Sequence, residues 1–436
     1  MNEMFPKVLV ITRNAWNNGN CTGNTLSNFF DGWPDDKIAN AYFRSEPISN
    51  NVCKNYFKIT EQDLLRSLRC RTYIPGNHIM IADYNTEESK EEIQDISNSK
   101  KIYSFFSHHR WTLAIWARDL LWFCTKWGNT KFVDFLQNYS PDVLYMPCYD
   151  SVYMHRILWF VKSITNARIV LFTGDDTYTL KQFSLSPLYW INRFINRFTM
   201  RKSVKLSDTL FVISDLQKKE YDKIFRIDCK ILRKGGKFKS EIEPKNNVTT
   251  PIKMVYTGNI HAGRWKTLAV MVNALEKINK IDKLVDFDIY TLSHKTDEMI
   301  KALDKNGTSR LMPPASEKTI MEAIKNADVL VFVEPFTLRE RLKWRLSFST
   351  KIVDYLASSR AIVAIGPEGL SSMDYLKSND AAYCITNRNE IEEKLEYLIK
   401  NPSLISQYAE KSWKCGSSNN RIEDTKKVLM SGLMGD

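Results

Sequence analysis

The feature that most constrains this chain is an alternation of short apolar runs with helical patterns, and it occurs twice. KVLVIT (7–12), KIANAYF (37–43), DVLYMPC (142–148), RIVLFTG (168–174) and TLFVIS (209–214) are strand-length and rich in β-forming residues. Apolar runs of that length, bounded by polar turn residues, predict buried strands. Strands separated by helical patterns predict a parallel, doubly wound sheet. The stretch KFKSEIEPKNNVTTPIK (237–253) is polar, carries two prolines and reads as a linker. The alternation then restarts with MVYTGN (254–259), VDFDIYT (285–291), DVLVFVE (328–334) and AIVAIGP (361–367). The expected fold class is α/β, with two Rossmann-like doubly wound domains over 1–240 and 253–402 and a linker over 241–252. Helices over 403–436 are expected to pack back toward the first domain. A length of 436 residues fits two cores, since one core stops growing near roughly 250–300 residues.

Several function classes drop out. With 43% hydrophobic and 26% charged residues the chain has enough apolar surface to fold. No apolar run reaches the roughly 18 residues of a membrane span. The start, MNEMFPKVLVIT, places an acid before a short strand-like run and does not read as a signal peptide. The expected location is the cytoplasm, with membrane association at its inner face as the one addition. The eight cysteines and six histidines show no metal-ligand spacing, so neither a metal nor a cofactor is expected. There is no GxGxxG, GxxxxGK[ST] or GxSxG motif.

The net charge of +12 is concentrated. Residues 193–239 hold 14 Lys/Arg against 5 Asp/Glu. Within them, Arg193, Arg197, Arg201 and Lys202 interleave at helical spacing with Trp190, Ile191, Phe194, Ile195 and Phe198. Two readings stand: a solvated helix over a core, or an interfacial surface for anionic lipid or a lipid-linked substrate. The stretch 108–128, with Trp111, Trp116, Trp122 and Trp127 beside Arg110, Arg118 and Lys126, carries the same ambiguity. The charges follow no nucleic-acid-binding motif, so nucleic acid is not an expected partner.

Residues just after each strand carry the candidate chemistry, because doubly wound sheets bind ligands at strand carboxyl ends. In FVEPFTLRERLKWRLSFSTKIVDYLASS (332–359), Ser347 or Ser349 is placed to cap a helix. The amides near Thr350 and Lys351 then point toward a phosphate. Lys351 and a basic loop ending in Arg345 add charge, and Asp354 lies one turn on, where it can accept hydrogen bonds from ribose hydroxyls. An ordinary capped helix beside a basic loop is the plain alternative. In YTGNIHAGRWKTL (256–268), Gly258 and Asn259 form a turn before Arg264 and Lys266. Gly23, Asn24 and Thr25 read as the turn after the first strand, able to line an acceptor or phosphate groove. Asp175 and Asp176 end a central strand, where a carboxylate can serve as base or orient an acceptor hydroxyl.

GNIHAGRWKTL, SFSTKIVDYLASSRAIVAIGP and NDAAYCITNRNEIEEKLEYLIKN together resemble the donor half of GT-B glycosyltransferases, close to glycosyltransferase family four and its capsule or surface-polysaccharide members. The likeness spans roughly 254–402 and is thinner over 1–240. It implies the GT-B fold, with a nucleotide-sugar donor held mainly by the second domain. Carried over, Arg264 and Lys266 neutralise the diphosphate, Ser349, Thr350 and Lys351 bind it, and Asp354 holds the ribose where the family more often has Glu. Gly366 and Pro367 lie by the base. The family's retaining members often carry two glutamates eight positions apart; here those positions are Leu346 and Asp354, and Glu334 is the candidate near the sugar. A His-Asp pair common in relatives is replaced by Gly174, Asp175 and Asp176. The implied function is sugar transfer to a saccharide or polyprenyl-diphosphate-linked acceptor, retaining and metal-independent. The alternative is a sugar-nucleotide epimerase or hydrolase on the same fold.

Overall fold

The computed structural model describes residues 5–81, 112–242, 248 and 250–435. Residues 85–100, polar and acidic and read from sequence as a loop, Arg110 and Trp111, and half of the linker expected at 241–252 lie outside the described residues. The chain divides into two compact units, residues 1–180, 184–232 and 426–436, and residues 181–183 and 233–425.

The first unit is built on β1 (Val8–Thr12), β2 (Ile38–Tyr42), β3 (Asn55–Lys58), β4 (Asn77–Met80), β5 (Val143–Pro147), β6 (Arg168–Thr173), β7 (Thr209–Val212) and β8 (Lys230–Ile231). They form one sheet in the order β4-β3-β2-β1-β5-β6-β7-β8. Only the β3–β4 pairing is antiparallel. The second unit holds β9 (Ile252–Thr257), β10 (Val285–Tyr290), β11 (Ser309–Leu311), β12 (Val329–Val333), β13 (Ala361–Ile365) and β14 (Tyr383–Ile385). Their order is β11-β10-β9-β12-β13-β14, parallel throughout.

The central strands are apolar because both faces are covered: β1, β2, β12 and β13 are buried along their whole length. The sequence pattern missed β3, β4, β8, β11 and β14. These are short strands at or near the sheet edges, partly open to solvent, and none is a continuous apolar run. The helix Pro402–Asn419 packs on β13 and on the helix Lys351–Ala357 within the second unit. The last residues, 426–436, belong to the first unit, where the Gly432 carbonyl accepts from Thr209 Oγ1 at 2.8 Å.

Each sheet reverses its winding once. In the first unit β1 lies between β2 and β5, and in the second β9 lies between β10 and β12. These reversals open a crevice beyond the strand carboxyl ends, the usual ligand position in such folds.

Candidate functional site

At the second unit's reversal, Glu334 follows the end of β12 and Gly258 follows the end of β9. Gly258 has φ +127°, a backbone that side-chain-bearing residues rarely adopt. Arg264 opens the helix Arg264–Ile278 and places Nη2 at 3.0 Å and 3.3 Å from the two Glu334 carboxylate oxygens. Thr267 Oγ1 donates to the Glu334 carbonyl at 3.0 Å. The Arg264 guanidinium also lies over the Trp344 ring, 5.4 Å from its centroid. Lys351 donates from Nζ to the Thr257 carbonyl at 3.2 Å. Its ammonium lies over the Tyr256 and Phe332 rings at 4.3 and 5.2 Å.

Two cations and one carboxylate thus gather where little water reaches. Burial, and then the Arg264 charge, pull Lys351 down to about 7, with Glu334 opposing. Burial pushes the Glu334 carboxyl up, against the pull of Arg264 and Lys351. Such a group of charges is poised to receive an anion.

Other residues of the expected donor set fall nearby or elsewhere. Asp354 is held by Lys234, whose Nζ reaches both carboxylate oxygens at 2.7 and 2.9 Å. The helix there spans Lys351–Ala357 with Thr350 at its N-cap, and no side chain caps it. The capping expected of Ser347 or Ser349 is therefore absent; the Ser349 amide instead donates to Ser372 Oγ at 3.0 Å. Lys266 is exposed and leans over the Trp265 ring at 5.6 Å. Asn259 Oδ1 accepts from the His261 amide at 2.6 Å, closing the turn. The expected basic loop is a helix, Leu338–Trp344, and Arg345 ends it with a carbonyl that accepts from the Ser371 amide and hydroxyl at 3.0 and 2.9 Å. Gly366 follows β13 and packs against Glu334.

In the first unit, the two candidate acids separate. Asp176 is buried, and Arg193 Nη2 lies 3.0 Å from its carboxylate. The same carboxylate accepts from the Tyr178 and Thr179 amides at 3.2 and 2.8 Å and from Thr179 Oγ1. It is committed to shaping its own loop. Asp175 is exposed. Gly23, Asn24 and Thr25 correct the expected turn: they lie inside a helix, Cys21–Phe29, whose N-cap Asn20 accepts from the Gly23 amide at 2.8 Å. A Cβ on Gly23 would fall 2.0 Å from the Asn17 carbonyl oxygen, so glycine lets the preceding turn pack on this helix. Thr25 Oγ1 donates back to the Cys21 carbonyl at 2.8 Å.

The basic helix is Pro187–Leu206, and its buried face is mixed, with Met200 and Val204 set among polar residues. Arg193, Asn196, Thr199 and Ser203 are buried, whereas Phe194 and Phe198 are 56% and 74% exposed. Ile191 and Ile195 are exposed with them. Of the two readings, the exposed apolar stripe is the arrangement an interfacial surface needs, not that of a solvated helix with its apolar side on a core. The neighbouring helix Thr112–Cys124 exposes Leu113, Leu120 and Phe123. Its Trp116 Nε1 donates to Asn192 Oδ1 at 3.0 Å. Trp122 and Trp127 belong to the core.

Comparison with known proteins decides the fold. No protein-family profile matches the chain, and no curated protein matches it in sequence. Solved structures do. The Anabaena protein Alr3699/HepE, in complex with UDP and glucose, superposes with a TM-score of 0.60 at 10% identity, over 97% of both chains. A UDP-forming α,α-trehalose-phosphate synthase from Burkholderia vietnamiensis gives 0.57 at 10% identity, over 99% of this chain and all of that one. TarM gives 0.51 at 14% identity, over 69% of this chain; the chain spans only 57% of TarM's length. The fold is GT-B.

In a GT-B chain both reversal points are natural ligand sites. The second unit's site brings together three predicted residues, Arg264, Glu334 and Lys351. Sequence reasoning missed Lys234 and Trp344, and both were findable only as charged or aromatic residues near motif positions. Among the described residues no group of three or more His, Cys, Asp or Glu can hold a metal ion. No described helix is long and apolar enough to cross a membrane.

Proposed function

We propose that this chain is a glycosyltransferase that moves a sugar from a nucleoside-diphosphate-sugar to a saccharide or polyprenyl-diphosphate-linked acceptor in surface-polysaccharide synthesis. The observation that carries the reading is the Arg264–Glu334–Lys351 group at the reversal point of the second unit. Leaving diphosphate gains negative charge in the transition state, and Arg264 and Lys351 stabilise it there without a metal. Glu334 holds Arg264 and lies where the transferred sugar would sit. Asp354, set by Lys234, accepts from the ribose. Ser349, Thr350, Gly258, Asn259 and Arg345 line the donor, and Lys266 meets it only by leaving Trp265. The UDP complexes and UDP-forming activity named for the structural neighbours support a uridine donor.

Retention is the proposed outcome. Arg193 and the loop amides hold Asp176, and the exposed Asp175 is the carboxylate we assign to orienting an acceptor hydroxyl. The test is product analysis of the full chain with a panel of nucleotide sugars. UDP release that rises when a polyprenyl-diphosphate-linked saccharide is added supports transfer. An isomerised sugar, or hydrolysis indifferent to acceptor, would favour the epimerase or hydrolase reading.

The lipid-linked acceptor is favoured by the outward apolar stripe of Pro187–Leu206, followed on the same helix by exposed Arg201, Lys202 and Lys205. Exposed aromatic and aliphatic side chains beside cations suit an anionic bilayer surface. The full chain should co-sediment with phosphatidylglycerol vesicles. Phe194→Ser with Phe198→Ser should weaken that binding at least about tenfold, since each buried Phe is worth roughly 1.5–3 kcal/mol. Equal sedimentation of the double variant would remove the membrane from this account.

A further inference from the structure

The first unit carries a second charged crevice that the donor reading does not use. It lies beyond the ends of β1, β2 and β5, at that unit's own reversal point. β1 delivers Arg13, β2 leads to Arg44, and β5 leads to Tyr149 and Asp150. The three ends are tied together. The Phe43 amide donates to the Arg13 carbonyl at 3.2 Å, the Arg13 amide donates to Tyr149 Oη at 3.2 Å, and Arg44 Nη1 donates to Asn14 Oδ1 at 3.4 Å.

Arg13 and Arg44 are not closely paired. Arg13 reaches Asp150 only at 3.8 Å, and that carboxylate is 43% exposed. Among the described residues Arg44 forms no ion pair. The Nε of each arginine is buried without a hydrogen-bond partner. Arg118 stands in the same field but is spent on Glu61, at 3.1 Å. Burial, then Arg13 and Arg118, hold the Arg44 guanidinium below its ordinary value. Glu61 also faces Arg44, and burial pushes the Glu46 carboxyl up against the pull of Arg44 and Arg13.

The β5 end of this crevice is tied to neighbouring helices. His155, buried and pulled down to about 4 by burial, bridges the Tyr149 carbonyl at 3.1 Å and Ser203 Oγ at 2.8 Å. Asn196 Nδ2 donates to the Asp150 carbonyl at 3.2 Å. The Arg13 guanidinium lies over the Tyr149 ring, 5.3 Å from its centroid. Like charges gathered away from water repel each other and lose hydration. A bound oxyanion reverses both costs, and the guanidinium fork matches phosphoryl and carboxylate geometry.

We propose that Arg13 and Arg44, seated on the Tyr149 loop, bind a phosphoryl or carboxylate group carried by the acceptor. The assignment to an acceptor rests on the glycosyltransferase reading; the anion site itself does not.

The test titrates inorganic phosphate, and separately acetate, into the full chain saturated with UDP so that the donor site is filled. Saturable binding of one anion is expected, weakened at least about tenfold by Arg44→Gln or Arg13→Gln. Arg44→Lys, which keeps charge but loses the fork, should fall between. UDP affinity in Arg44→Gln should stay within about twofold of the parent, showing that the variant folds. If UDP itself does not bind, the donor reading fails, and the same titration in Arg264→Ala without nucleotide still reads this site. No saturable binding of either anion, or binding indifferent to both glutamine variants, overturns the proposal.

Discussion

Arg264→Ala is expected to weaken binding of a UDP-sugar by roughly 10- to 100-fold, the value of one or two lost charge-assisted hydrogen bonds. Turnover should fall further, by about 10² to 10³, because in the proposed donor placement the lost charge faces the leaving diphosphate. The variant should also be less stable. Glu334 has a side chain only 5% exposed, and Arg264 is its hydrogen-bonded ion-pair partner. Removing one member of such a pair costs about 3–5 kcal/mol, because the other charge stays buried. Adding Glu334→Gln removes that orphaned charge. The double variant should therefore regain most of the lost stability, measured by thermal unfolding, and none of the lost affinity, measured by calorimetric titration. Recovery of both would mean that Arg264 serves only the fold.

The second large effect is a pH dependence. Lys351 is pulled down to about 7 in the free protein. Above that pH its amine is mostly neutral, while a bound diphosphate favours the charged form and raises its pKa. Binding then takes up a proton, so affinity for UDP-glucose should fall by up to about tenfold per pH unit above 7, until the raised value is reached. Just below 7 the Lys351 contribution should level off, since Lys351 is already charged and the donor's diphosphate diester does not titrate there. Lys351→Met should bind weakly and lose the slope between pH 7 and 9. A slope that survives in Lys351→Met would place the titrating group elsewhere.

The central strands were legible because β1, β12 and β13, covered on both faces, must be continuously apolar. β11 and β14 were not, because three-residue edge strands such as Ser309–Leu311 leave no pattern to read. Arg264, Glu334 and Lys351 were each legible as residues flanking a strand or opening a helix. Their convergence was not, since Arg264 and Glu334 stand 70 positions apart and meet only through the β9–β12 pairing. The same holds for Lys234 and Asp354, 120 positions apart.

The helix Pro187–Leu206 shows a different limit. Phe194 and Phe198 share one helical stripe, and Arg193, Asn196 and Ser203 another. Periodicity finds both stripes, but hydrophobicity alone does not say which one faces the interior. The buried Asp176 bears on that choice by supplying Arg193 with a partner. Gly23 misled for a local reason: Gly, Asn and Thr favour turns, but an Asn cap three residues earlier starts the helix before them.

The central claim is that a nucleoside diphosphate is held at the carboxyl ends of β9 and β12. A crystal structure of the full chain with UDP tests it most directly. The account predicts the diphosphate within hydrogen-bonding distance of Arg264 and Lys351, with the ribose at Asp354. UDP bound instead at the first unit's crevice, or bound away from both cations, would contradict it.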